Sequence, residues 1–69
     1  MVEIFKTNIT DKVTSDIVLR QIQVIFPTAR INFDLEDHEN ILRIEDFRVS
    51  VPDVIRFATG MGFHCEVLG

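Results

Sequence analysis

A polar run, Asp11-Lys12-Val13-Thr14-Ser15-Asp16, leads into the apolar-rich segment IVLRQIQVIF, and the chain then meets Pro27. No other stretch limits the possible folds as much. At about 100° per residue, Val18, Leu19, Ile22, Ile25 and Phe26 fall on one arc, the spacing of a helix that lays one face on a core. Thr14 or Ser15 supplies a hydroxyl for the orphan amides of the first turn, and Asp16 suits the positive end of the helix dipole. Pro27 has no amide hydrogen to continue the ladder and biases Phe26 away from helical angles. The spacing predicts a helix over 17–26, entered from a polar loop over 11–16. Ile17 and Val24, one heptad apart, fall on the far side of the wheel and are expected to be exposed.

The flanking segments alternate with the period of strands. Val2 to Thr7, VEIFKT, is β-branched, aromatic and roughly alternating, although either Ile4 or Phe5 can be its core-facing residue. From Ala29 to Leu35, Ile31, Phe33 and Leu35 point one way and Arg30, Asn32 and Asp34 the other, so one face of the strand is wet. The polar cluster EDHEN, Glu36 to Asn40, reads as a turn into Ile41–Glu45, with Leu42 and Ile44 inward and Arg43 and Glu45 outward. This makes an antiparallel hairpin whose Asp34 and Arg43 are suited to pair across the open face. Ser50 followed by Asp53 approximates a capping box, and Pro52 suits a first helical turn. A second helix is therefore expected from Val51, with Val54, Ile55 and Ala58 on its inner face and Gly60 and Gly62 ending it. Phe63 to Leu68 closes the chain as a strand that sends Phe63, Cys65 and Val67 to one side and His64 and Glu66 to the other.

The resulting order, β-α-β-β-α-β, with short connections and right-handed crossovers, implies an α+β ferredoxin-like sandwich. Four antiparallel strands form one sheet, and both helices cover the same face. Sixty-nine residues make a single domain over 1–69, near the size at which one core only just offsets chain entropy. A hydrophobic share of 46% with 26% charged residues excludes a disordered chain. The apolar residues never run to the ~20 that span a bilayer, and the N-terminus lacks a basic-then-apolar leader. These features give the expectation of a soluble, cytoplasmic protein that does not enter a membrane. A net charge of −4 opposes attraction to phosphate backbones, so no nucleic acid partner is expected. The single Cys65 cannot form an internal disulfide, which fits a reducing compartment.

Three segments together, Phe26-Pro27 at the end of the first helix, NFDLE over Asn32–Glu36, and GF-x-C-E-V over Gly62–Val67, resemble the heavy-metal-associated domain of copper chaperones and copper-transporting ATPases. That family holds a soft cation such as Cu(I) between the thiolates of a C-x-x-C motif in the loop before the first helix. By resemblance, the two cysteine positions fall on Lys12 and Ser15, or on Asp11 and Thr14 in the adjacent register. Neither an ammonium nor a hydroxyl gives Cu(I) the polarisable sulfur it prefers. The resemblance therefore implies the fold but not the metal chemistry.

Met61, His64 and Cys65 are the remaining candidate ligands, but alternation sets His64 and Cys65 on opposite faces of a strand. Cys65 is expected to be a packed, inert thiol and His64 a surface residue with no nucleophile or orienting acid beside it. The turn around His38, with Glu36, Asp37 and Glu39, lacks the patterned glycine of a calcium loop and reads as solvated. There is no phosphate-cradling glycine loop or nucleophile elbow, and no convergent acid-base pair is suggested, so no enzymatic activity and no cofactor are expected.

The leading expectation is a non-enzymatic binding or regulatory module that works by protein contact. Its candidate contact residues are Lys12, Ile17, Val24 and Phe57, with a protein partner or a homodimer through an open sheet edge. The alternative is an atypical copper or zinc binding or transport protein that uses Met61, His64 or Cys65. A small-molecule sensor with a pocket at a dimer interface is a third class.

Overall fold

The computed structural model describes residues 1–36 and 38–68. Six elements follow in the expected order: β1 (Val2–Thr7), α1 (Lys12–Ile25), β2 (Arg30–Asp34), β3 (Ile41–Glu45), α2 (Val51–Met61) and β4 (Cys65–Val67). The strands form one antiparallel sheet in the order β2-β3-β1-β4, and the two helices lie on one of its faces, as in a ferredoxin-like sandwich. β1 and β3 fill the centre and leave β2 and β4 as the edges.

Register decides which face of each strand is dry. Phe5 stands opposite Leu42 on β3 and Val67 on β4, and Leu42 stands opposite Phe33 on β2. Directly opposed residues share a face of a sheet. Phe5 therefore enters the core, fully buried with Leu42 and Ile44, which settles the choice between Ile4 and Phe5. Val18 and Ile22 from α1 and Val54 and Ala58 from α2 close the layer above, and Phe26, Ile31, Phe33, Val51, Ile55, Phe57 and Phe63 pack around its margin.

α1 starts earlier than its apolar periodicity implies. Asp11 caps it, its Oδ2 accepting the Thr14 amide at 2.9 Å, so most of the expected polar loop is helical. The hydroxyl of Ser15 points back down the helix and donates to the Lys12 carbonyl at 2.9 Å instead of capping. The C-terminal stop falls where Pro27 requires it, with Phe26 as the cap residue. Gln23 secures that end, its Nε2 donating to the carbonyls of Phe26 at 3.0 Å and Ala29 at 2.9 Å. Ile25 departs from expectation: it repeats the wheel position of buried Val18 but is half exposed. It lies about 10 Å further along the axis, at the last residue of the helix.

α2 begins as expected, with the Ser50 side chain accepting the Asp53 amide and Pro52 in the first turn. Gly60 lies inside the helix, and Gly62 alone provides the left-handed terminus, at φ 88°. β4 is shorter than the expected 63–68, because Phe63 is still tied to the helix end through its amide to the Ala58 carbonyl at 3.1 Å.

Candidate functional site

α1 has two surfaces of different character. On the face turned away from the sheet, Val13, Ile17, Arg20 and Val24 recur at spacings of four, three and four, so they stack along one side of the helix. Val13 is 69% exposed, Ile17 51% and Val24 79%. Aliphatic residues this exposed gain little from folding the isolated chain, while the opposite side of the same helix supplies Val18 and Ile22 to the core. The expected exposure of Ile17 and Val24 is observed. Val13 was hidden from sequence reasoning because the polar residues around it read as a loop; the Asp11–Thr14 spacing of a capping interaction was the signal for including it.

The flank of α1 that faces β2 forms the second surface. Lys12, Ser15, Asp16 and Leu19 border an open groove of about 480 Å³ whose other wall is Asn32 to Glu36 at the free edge of the sheet. Lys12 Nζ donates to Asp16 Oδ1 at 2.8 Å one turn along, an exposed pair worth little to stability. The Asp11 carboxyl is held below its ordinary pKa by the amide and hydroxyl of Thr14, which favour the charged acceptor. Lys12 and Ser15 differ in their access to this groove: Lys12 is exposed, whereas Ser15 is buried.

The other candidate residues do not join this site. Phe57 is half-buried on α2 and packs against the core margin, so only part of its ring is available to a partner. Met61 is exposed at the end of α2. Cys65 is 8% exposed and stands opposite Thr7 on the helix-covered face. Burial pushes its thiol up to about 11, leaving almost none of the thiolate that binds soft metals or attacks an electrophile. His64 is exposed, its backbone amide donating to Asn8 Oδ1 at 2.8 Å and its Nε2 3.7 Å from Glu66 Oε2. It and Glu66 face away from Cys65, as alternation requires. Among the described residues, no three His, Cys, Asp or Glu side chains are grouped to hold a metal ion. In the turn around His38, Asp37 lies outside the described residues; there Asp34 Oδ1 accepts the Glu36 amide at 3.2 Å. No described helix is long and apolar enough to cross a membrane.

Phe47, 91% exposed on the β3–α2 connection, is a further surface aromatic, and with Met1, Arg30 and Glu45 it borders a second shallow depression. Comparisons with protein-family models, curated proteins and solved structures gave no match to this chain.

Proposed function

We propose that this chain is a non-enzymatic binding or regulatory module, resembling a heavy-metal-associated domain in fold but without its metal site, and that it acts by protein contact. The observation that carries the proposal is the outward face of α1, where Val13, Ile17 and Val24 are exposed at helical spacing around Arg20. That 4-3-4 spacing suits a partner helix that offers aliphatic side chains to the stripe and a carboxylate to Arg20. The sulfur chemistry of the resemblance has no counterpart at Lys12 and Ser15, and Cys65 is withdrawn into the core. Cytoplasmic residence belongs to the same proposal and fits a chain whose single, buried cysteine forms no internal disulfide.

Photo-crosslinking from the α1 face in cells tests the proposal. A photoreactive residue at Val24 is expected to give one discrete protein adduct that Ile17→Asp abolishes, while the same group at Thr59 on α2 gives none. Equal adducts from both positions, or none from Val24, would refute the contact. Titration of the purified chain with Cu(I) and Zn(II) separates this reading from that of a metal carrier. No stoichiometric saturation is expected, and a tight one-to-one ion shifting the Met61 to Cys65 resonances would replace the module with a carrier.

A further inference from the structure

We infer that the free edge of β2 is a self-recognition strand through which two copies of this chain join antiparallel into one eight-stranded sheet. This goes beyond the contact proposed for α1 and uses a different surface. β2 reads Arg30-Ile31-Asn32-Phe33-Asp34 and is paired on one side only, to β3. When two such strands meet antiparallel about Asn32, Arg30 of each copy stands opposite Asp34 of the other. Ile31 of each stands opposite Phe33, and the two Asn32 residues meet on the axis. All five residues are used, both charge pairs are of opposite sign, and both apolar pairs fall on the helix-covered side. Shifting the register by two residues toward the N-terminus puts Arg30 against Asn32 and removes both charge pairs.

Edge strands usually discourage such pairing with a lysine, a proline, a bulge or like charges placed to repel a copy. β2 has no lysine and no proline, and its terminal charges attract in the two-fold arrangement. The opposite edge behaves differently. β4 is three residues long, and self-pairing about its centre would set Glu66 against Glu66 of the second copy. Ile31 and Phe33 are both only half-buried in the single chain, so apolar surface remains to be covered on the helix side. The groove beside β2, bordered by Leu19 and Leu35, leaves that edge open to an incoming strand. Main-chain hydrogen bonds would provide the affinity, and the alternating side chains the register.

Sedimentation equilibrium of the full chain from micromolar to millimolar concentration tests the inference. The expected result is a reversible dimer of twice the 8.0 kDa chain mass. Asp34→Arg opposes two like-charged pairs and should weaken association about tenfold or more. Combining it with Arg30→Asp restores opposite charges in the same register and should recover the dimer. Asn32→Asp provides an independent check. Within one chain it faces Arg43 on β3 and leaves the fold intact by circular dichroism, whereas on the axis it brings two carboxylates together and favours the monomer. A wild-type chain that stays monomeric throughout would overturn the inference. So would a dimer insensitive to Asn32→Asp and Asp34→Arg, or one dissociated by Ile17→Asp and Val24→Asp. A dimer that survives those two α1 substitutions leaves the α1 contact to be judged by its own crosslinking.

Discussion

Replacing Thr7 with valine should expose how the loop that delivers α1 is held. Thr7 is the last residue of β1 and is only 4% exposed. Its hydroxyl donates to the Asn40 carbonyl at 2.7 Å and accepts the Ile9 amide at 3.2 Å. One oxygen thus joins the end of a central strand, the turn into β3 and the segment approaching the Asp11 cap. Valine keeps the shape but can do neither. The Asn40 carbonyl retains the Thr7 amide at 3.1 Å, so the main loss is the Ile9 amide, stranded in a residue only 3% exposed. Orphaning one buried donor costs about 1–3 kcal/mol, which for a domain of this size lowers the melting temperature by roughly 5–20 °C. Thr7→Ser keeps both hydrogen bonds and removes one methyl, a cost of about 1 kcal/mol. Thermal and urea unfolding followed by circular dichroism should rank wild type, then Thr7→Ser, then Thr7→Val. A valine variant as stable as wild type, or a serine variant less stable than the valine one, would refute the assignment of this hydroxyl.

Two further predictions concern titration. The unfolded Cys65 thiol ionises near 9.0 and the folded one near 11, so the unfolded chain loses its proton first. Stability should therefore fall as pH rises through that window, and Cys65→Ala should flatten the decline in urea midpoints. Asp11 has the opposite sign: its folded pKa lies below 3.8, so its contribution is present above that value and lost as pH falls through the folded pKa. Asp11→Asn keeps an accepting oxygen at the cap and should remove that part of the acid dependence, measured as urea midpoints between neutral and acid pH.

The alternation in VEIFKT and ILRIE and the 3.6-residue spacing of Val18 and Ile22 are local, and local periodicity was enough for the order of the elements and most of the core. Ser50, Pro52 and Gly62 marked the limits of α2 because capping and left-handed φ depend on residue type within one turn. The start of α1 was less legible. Thr14 and Ser15 both offer a capping hydroxyl, yet the cap is Asp11, whose carboxylate accepts the Thr14 amide.

The candidate site was partly legible. Ile17 and Val24 could be placed outside from the wheel, and His64 and Cys65 separated by alternation. The groove beside Asn32 and Phe33 joins segments distant in sequence and appears only when α1 settles against β2.

Sequence by itself determined the order of the elements, the inward faces of β2, β3 and α2 and, with Cys65 as the single cysteine, the lack of a thiol pair, because patterning and composition are read within a few positions. Tertiary structure alone decided that Phe5 rather than Ile4 is buried, that Ile25 escapes the core and that β2 lies at an edge. Strand order and register are long-range pairings, and their free energy comes from contacts that no local window of sequence contains.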